Sequence, residues 1–345
     1  MRDSFAIAMA VLVTTALLGG VAGTAAGAQP TIATDGPTAG AQPAVGAAGA
    51  TGPAQTGDAC GFPLNATDAT GETIRLEERP ERITTLNPSA AQTLWELGQE
   101  DRVVGVSQFA FYLEGAEEFG ASTRSGSVST TRSTLAPNSS AADVGPLREQ
   151  GLTVYHFPAA TSVDDIAEKT ETIGRLVGAC EAADETNEEM YDAVDAAENR
   201  TADVDRPAAL YPLGGGYVAA NNTFIDAIMN VGGTENVAAE YEAYPQLSDE
   251  VILETDPELI LVTDPEAAIL EQEPYASTTA GAEGNYVVMN VNYLNQPAPR
   301  SVIRSTETLS NAVVELQDAS VASSAGSSSD DGPSDYGPSV SDDPS

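Results

Sequence analysis

Aromatic and amide side chains follow the short apolar runs of this sequence. Loops at the carboxyl ends of parallel strands place such groups around a ligand, so these residue types predict a cleft for a medium-sized organic molecule. Asn87 and Ser89 also lie at a predicted helix start, where free backbone N–H groups are available. The predicted ligand-binding residues are Asn87, Ser89, Gln108, Phe109, Tyr112, Tyr217, Asn221, Tyr293, Gln296 and Arg300.

The sequence gives little support for catalysis or for a resident metal. It has no G-x-S-x-G motif, and His156 is its one histidine. The acidic residues are spread along the chain, so no carboxylate pair stands out as an acid and base. One histidine and two cysteines offer no structural zinc site. We therefore expect a binding protein without a covalently bound cofactor and without a metal site, not an enzyme.

The charge of the chain restricts its partners. Its 52 acidic and 14 basic residues give a net charge of -38, and Lys169 is the one lysine. Such a field repels nucleic acids and anionic lipid surfaces, so we expect neither as a partner. The acid-rich, lysine-poor composition is typical of halophilic proteins, whose carboxylates are screened by high salt. We expect a monomer.

One long predicted helix divides the chain. Residues 181–205 contain no proline or glycine, and Pro207 ends the helical pattern. Met190, Val194 and Ala197 form an apolar stripe at helical spacing. The segments that begin near Arg79 and at Arg206 both run through Arg-Pro, a strand, a small-residue loop and an amphipathic helix. The sequence therefore predicts an α/β fold of two lobes, 59–180 and 206–317, joined by a single helix.

One stretch of the first lobe departs from this symmetry. Ser122–Ala142 should contain a helix and a buried strand, but it has almost no apolar residues. The second lobe has VILETDPELILV at the corresponding place. Either the first lobe has lost an element to a loop, or the sequence was altered here.

The two ends of the chain have compositions of their own. Residues 1–28 predict a signal peptide that is cleaved after Ala28, with a retained membrane anchor as the alternative. Residues 29–58 predict a flexible Ala/Gly/Pro/Thr spacer, and residues 318–345 a disordered acidic tail. We expect an exported protein that is tethered to the cell surface.

Cys60 and Cys180 are the two cysteines. In an exported protein they predict one disulfide, which would join the start of the folded region to the start of the linking helix. Two separate buried thiols are the alternative.

Three runs together resemble the substrate-binding proteins of ABC importers for cobalamin and ferric siderophores, above all the haloarchaeal members. They are RITTLNPSAAQTLWELGQEDRVVGVSQF, TVYHFPAATSVDDIAEKTETIGRLVG and DEVILETDPELILVTD. The resemblance covers about Cys60 to Leu316. It implies two Rossmann-like lobes of the class III periplasmic binding protein fold, with the ligand between them and little hinge closure.

The resemblance also implies partners. These proteins deliver their ligand to an ABC permease and ATPase complex, and a glutamate on each lobe docks onto permease arginines. Glu250 matches the glutamate of the second lobe. The glutamate of the first lobe would fall in Ser122–Ala142, where nothing matches.

The charge of the predicted cleft residues allows the possible ligands to be ranked. Arg300 is the one well-placed cation of the predicted cleft, whereas anionic catecholate siderophores require more positive charge. Cobalamin therefore ranks first, followed by a ferric siderophore or haem. The alternative function is that of a cell-surface structural or adhesive protein without a transport role, and an extracellular enzyme ranks third.

Overall fold

The computed structural model describes residues 60–119, 133–135 and 141–327. The predicted signal peptide 1–28, the spacer 29–58 and the tail beyond residue 327 lie outside the described residues. No helix within the described ranges is long and apolar enough to cross a membrane.

A parallel four-stranded sheet organises the first lobe, with the strand order β4-β3-β5-β6. Its strands are β3 (Ile83–Thr85), β4 (Val103–Gly105), β5 (Ser133–Leu135) and β6 (Thr153–Tyr155). An antiparallel hairpin precedes them, formed by β1 (Leu64–Thr67) and β2 (Thr73–Leu76). The helices are α1 (Pro88–Glu96), α2 (Ala141–Glu149) and α3 (Val163–Val177).

Strand β5 corrects our reading of the aberrant stretch. Ser133–Leu135 lies inside Ser122–Ala142 and pairs in parallel with β3 and β6, so it occupies the middle of the sheet. The expected strand is therefore present, and α2 begins at Ala141. Periodicity missed β5 because its three residues, Ser-Thr-Leu, include only one apolar side chain.

A second parallel sheet organises the other lobe, with the order β10-β7-β11-β12. Its strands are β7 (Ala208–Leu210), β10 (Glu235–Asn236), β11 (Leu259–Val262) and β12 (Tyr286–Val288). A hairpin of β8 (Pro212–Gly214) and β9 (Tyr217–Val218) follows β7. The helices are α5 (Phe224–Val231), α6 (Asp249–Thr255), α7 (Thr279–Glu283), α8 (Val291–Leu294) and α9 (Pro299–Ser327).

Helix α4 (Cys180–Thr201) joins the two lobes, and α9 packs along it. The predicted stripe of Met190, Val194 and Ala197 is buried, as expected. Met190 and Val194 belong to the same apolar cluster as Leu259 and Leu261 of β11. The connector is thus packed into the core of the second lobe, which stiffens the link between the lobes.

Local signals explain several element boundaries and correct others. Helix α3 has the predicted limits because Ser162 and Asp165 form a capping box. Helix α1 is capped by Asn87 and not by Ser89, because Pro88 occupies the first helical position. Helix α9 extends past Leu316 to Ser327, so the first residues of the predicted disordered tail are helical.

Strand β7 ends at Leu210, and the chain then forms the β8–β9 hairpin. Gly214, Gly215 and Gly216 all have φ between 62° and 92°, which favours glycine. A Cβ on Gly216 would lie 2.9 Å from the Leu247 carbonyl oxygen. The glycines therefore form a tight hairpin whose backbone approaches the segment before α6.

Cys60 and Cys180 form a disulfide, with their Cα atoms 5.9 Å apart. The alternative of two separate thiols is therefore wrong. The bond joins the residue at the start of the described region to the first residue of α4.

Candidate ligand-binding cleft

Two predicted residues from different lobes meet where the sheets end. Tyr112 follows β4 and Tyr293 follows β12, and their rings pack edge to face with centroids 6.4 Å apart. Both lie beyond the carboxyl ends of their strands. The contact shows that the loops at these sheet edges face one another, so we take this junction as the floor of the candidate cleft.

A hydrogen bond to helix α1 fixes the position of Tyr112. The Tyr112 hydroxyl donates to Gln92 Oε1 at 2.6 Å, and Gln92 Nε2 donates to Ser301 Oγ at 3.1 Å. Burial, with smaller contributions from the nearby Glu96 and Tyr293, raises the pKa of Tyr112 above its usual range. The phenol therefore stays protonated and keeps its donor role.

Arg300 lies at the same junction and is bound to the first lobe. Its backbone N–H donates to both carboxylate oxygens of Glu96 at 3.2 Å, and its Nε lies 3.6 Å from Glu96 Oε1. The Arg300 side chain is 42% exposed, whereas that of Glu96 is 6% exposed. The cleft floor thus has one half-exposed guanidinium whose charge is partly neutralised.

Apolar and aromatic side chains are exposed on the first-lobe loops. Phe109 is 67% exposed in the turn after β4, next to the exposed Gln108. Leu86, just after β3, and Phe111 are also exposed. Large apolar side chains usually avoid water, so their grouping after adjacent strands indicates a contact surface.

The second lobe presents a matching group of tyrosines. Tyr217 bridges to Gln246 and Asn221 to Glu242, which places the hairpin beside residues 241–246. Tyr217 is 45% exposed, and Tyr241 and Tyr244 in the neighbouring segment are exposed as well. This group forms the second candidate wall.

Contacts of the second-lobe loops place this group of tyrosines near the Tyr112–Tyr293 junction and near the first lobe. Burial raises the pKa of Tyr211, while the nearby side chains of Asn295 and Thr263 oppose this rise and the nearby Tyr244 adds to it. Thr161 Oγ1 of the first lobe donates to Asn222 Oδ1 at 3.1 Å. Gln296 is half-buried one residue beyond Asn295.

The structure separates two predicted residues from the exposed set. Ser89 is fully buried, and its hydroxyl donates to Asn87 Oδ1 and accepts from Lys169. Asn87 is half-buried, and the same Oδ1 atom caps α1 by accepting from the Ser89 N–H at 2.8 Å. We therefore drop Ser89 from the proposed contacts and give Asn87 a capping role.

Sequence reasoning missed Gln92, Glu96 and Lys169 beneath the floor, and Tyr241 and Tyr244 of the second lobe. Ser89, Gln92 and Glu96 recur at helical spacing on α1, which reads as a solvated face but points inward. Lys169 is the one lysine of an acidic chain, and that rarity was a usable signal. Tyr241 and Tyr244 lie outside any predicted element, and only their pairing with the hairpin reveals them.

Two further features lie away from this junction. A cavity of about 490 Å³ lies within the second lobe, beside Gly214–Gly216 and Tyr275, and none of the predicted ligand residues lines it. Glu250 is exposed in the first turn of α6. Among the described residues, no group of three or more His, Cys, Asp or Glu could hold a metal ion.

The sequence matches a known protein family and is similar to a protein whose ligand is known. Residues 145–292 match the family described as periplasmic binding protein. The chain is 44% identical over 273 residues to a cobalamin-binding protein of Halobacterium salinarum, covering 72% of this chain and 74% of that protein.

Solved structures share the fold at lower identity. A protein of the Fe3+-hydroxamate transport system of Saccharomonospora viridis gives a TM-score of 0.58 at 24% identity, covering 73% of this chain and 99% of that one. The vitamin B12 binding protein of Vibrio cholerae gives 0.57 at 22% identity, covering 70% and 99%. These two likenesses establish the two-lobed architecture.

Proposed function

Because this chain belongs to the periplasmic binding protein family and is a substrate-binding protein of an ABC importer, we propose that its ligand is a cobalamin. The observation that carries the proposal is the 44% identity to the cobalamin-binding protein of Halobacterium salinarum, which spans both lobes. The alternative of an adhesive or structural surface protein has no support from the relatives.

The chemistry of the cleft suits such a ligand. A corrinoid has broad apolar ring faces and a rim of neutral amide groups. Phe109, Tyr217 and Tyr244 offer aromatic surface for the ring, while Gln108 and Asn221 offer amide donors and acceptors. Arg300, partly neutralised by Glu96, supplies too little charge for a highly anionic catecholate complex. A ferric hydroxamate, which is less charged, is the competing ligand.

Titration calorimetry tests the proposal. The mature protein, in high salt, is titrated with cyanocobalamin, and with ferrioxamine as the competing probe. We expect saturable one-to-one binding of cyanocobalamin in the micromolar range or tighter, and much weaker binding of ferrioxamine. A preference for ferrioxamine would assign the ferric siderophore instead, and binding of neither would overturn the proposal.

The proposed partner is a permease and ATPase complex that accepts the loaded protein. The exposed Glu250 at the start of α6 is the proposed docking residue of the second lobe. Its counterpart would lie in Ser122–Ala142, mostly outside the described residues.

We propose that the protein works outside the cytoplasm, after export by residues 1–28, and is tethered at the cell surface. The Cys60–Cys180 disulfide supports an oxidising compartment. The net charge of -38 supports a high-salt environment. A mature protein whose N-terminal residue is Gln29 would support the export proposal, and an uncleaved Met1 would contradict it.

A further inference from the structure

A buried polar cluster lies where α1, α3 and the start of α9 meet. Ser89 and Gln92 have no exposed surface, the Glu96 side chain is 6% exposed, and Lys169 is 5% exposed. Burying an ion and its polar neighbours is costly unless each group finds a partner, so the cluster requires a reason beyond stability.

Three contacts of the cluster join the first lobe to one short segment. Glu96 accepts from the Arg300 N–H, Gln92 Nε2 donates to Ser301 Oγ, and Lys169 Nζ donates to the Pro297 carbonyl oxygen. Residues 297–301 form the entry to α9 from the second lobe. Helices α1 and α3 therefore bind this segment through three separate side chains.

The Glu96 carboxylate has a particular role in binding this segment. The first N–H groups of α9 have no partner within the helix, and the helix dipole favours a negative charge there. A charged carboxylate therefore binds the Arg300 N–H and guanidinium more strongly than a neutral carboxyl group would.

The same segment borders the cleft. Tyr293 and Gln296 precede it, and Arg300 lies within it. Tyr112, which contacts Tyr293, donates to the same Gln92 that binds Ser301. Any shift of residues 297–301 relative to α1 would therefore displace candidate ligand contacts from both lobes.

Burial shifts the pKa of both ionisable members of the cluster towards neutrality. Burial raises the pKa of Glu96 to about 7. The positive charges of Arg300 and Lys169 and a hydrogen bond from Gln92 lower this pKa, but their effect is smaller than that of burial. Burial lowers the pKa of Lys169 to about 7, against the charge of Glu96. Tyr112 also faces Glu96, but its phenol is neutral in this range.

We propose that Glu96 and Lys169 are positioning residues that brace the two lobes through residues 297–301, and that protonation of Glu96 loosens this brace and weakens ligand binding. The part concerning ligand affinity rests on the proposed function. The brace itself can be measured in the ligand-free protein, so the two can fail separately.

The first experiment measures the brace without ligand. Hydrogen–deuterium exchange at residue resolution follows the Arg300 amide between pH 8 and pH 6, corrected for the intrinsic rate. We expect its protection to fall about ten-fold in the wild type as Glu96 loses its charge. In Glu96→Gln we expect low protection at both pH values. Glu118→Gln, at an exposed glutamate of the same lobe, should behave like the wild type.

The second experiment measures affinity for cyanocobalamin over the same pH range. We expect several-fold weaker binding at pH 6 than at pH 8 in the wild type and in Glu118→Gln. Glu96→Gln and Lys169→Met should bind weakly, and Glu96→Gln should show a smaller pH dependence than the wild type, because Lys169 is then the one remaining member of the pair that can titrate. A role in folding alone would not produce this difference in pH profile.

The outcomes are distinct. Arg300 protection that is unchanged by pH in the wild type would overturn the proposal that protonation of Glu96 loosens the brace, even if Glu96→Gln does not fold. A pH-dependent brace with a pH-independent affinity would overturn the link to binding. A wild type that does not bind cyanocobalamin contradicts the proposed function, while the exchange data still decide on the brace.

Discussion

Single residues in this protein serve the lobes and the cleft at the same time. Arg300 binds Glu96 through its backbone and presents a half-exposed guanidinium to the candidate cleft. Tyr112 touches Tyr293 with its ring and donates to Gln92 with its hydroxyl. The candidate ligand contacts are therefore held by buried hydrogen bonds, which limits their freedom before the ligand arrives.

Tyr217 provides a test of the aromatic wall. Tyr217→Ala should weaken cyanocobalamin binding by roughly ten-fold, about 1.4 kcal/mol, because an exposed aromatic surface would no longer pack on the ligand. Calorimetry measures the change. Tyr191→Ala is the matched control, since Tyr191 is similarly exposed but lies on α4 with its hydroxyl on Asp164. Equal affinities of the two variants would exclude Tyr217 from the site.

At the scale of elements, the two long connections are α4 and α9. Both pack along each other, and α9 reaches the first lobe through residues 297–301. The disulfide attaches Cys60 to the first turn of α4, where the Cys180 N–H also points at Cys60 Sγ at 3.1 Å. Covalent and polar contacts thus reinforce the ends of the same connectors.

The disulfide should contribute measurably to stability. It closes a loop with a sequence separation of 120, which restricts the unfolded chain by about 4–5 kcal/mol in the chain-entropy model. The double variant Cys60→Ser/Cys180→Ser should lose a free energy of unfolding of that order in urea denaturation. Reduction of the wild type should produce the same loss, and no loss in either case would contradict the expectation.

At the scale of the molecule, the two lobes meet at a junction that is already bonded. The Tyr112–Tyr293 and Thr161–Asn222 contacts cross between the lobes, as do the hydrogen bonds from the buried cluster to residues 297–301. This arrangement favours small changes of the lobe angle over wide closure. Recognition by a transporter would then depend on surface residues that keep nearly constant positions.

Glu250 tests that recognition. Glu250→Arg should leave cyanocobalamin affinity unchanged and reduce ligand uptake at least several-fold in a reconstituted importer, because like charges would oppose the permease arginines. Glu254→Arg, at an exposed residue of the same helix, is the matched control. Normal uptake with Glu250→Arg would remove this residue from the docking surface.

The sequence alone determined the fold class and the linking helix, because hydrophobic periodicity is a local signal. It also indicated the Cys60–Cys180 pair, which two cysteines in an exported chain suggest. Phe109, Tyr217 and Tyr293 are predicted ligand contacts because each follows a predicted strand, and this role stays a prediction.

The tertiary structure decided what no local pattern encodes. Strand β5 has only one apolar side chain, and its place in the sheet comes from pairing with β3 and β6. The polar stripe of Ser89, Gln92 and Glu96 looks like a solvated face on a helical wheel. The approach of Lys169 on α3 and of residues 297–301, which are 80 and about 200 positions away, buries it. Long-range packing and not helical spacing sets the environment of a charge.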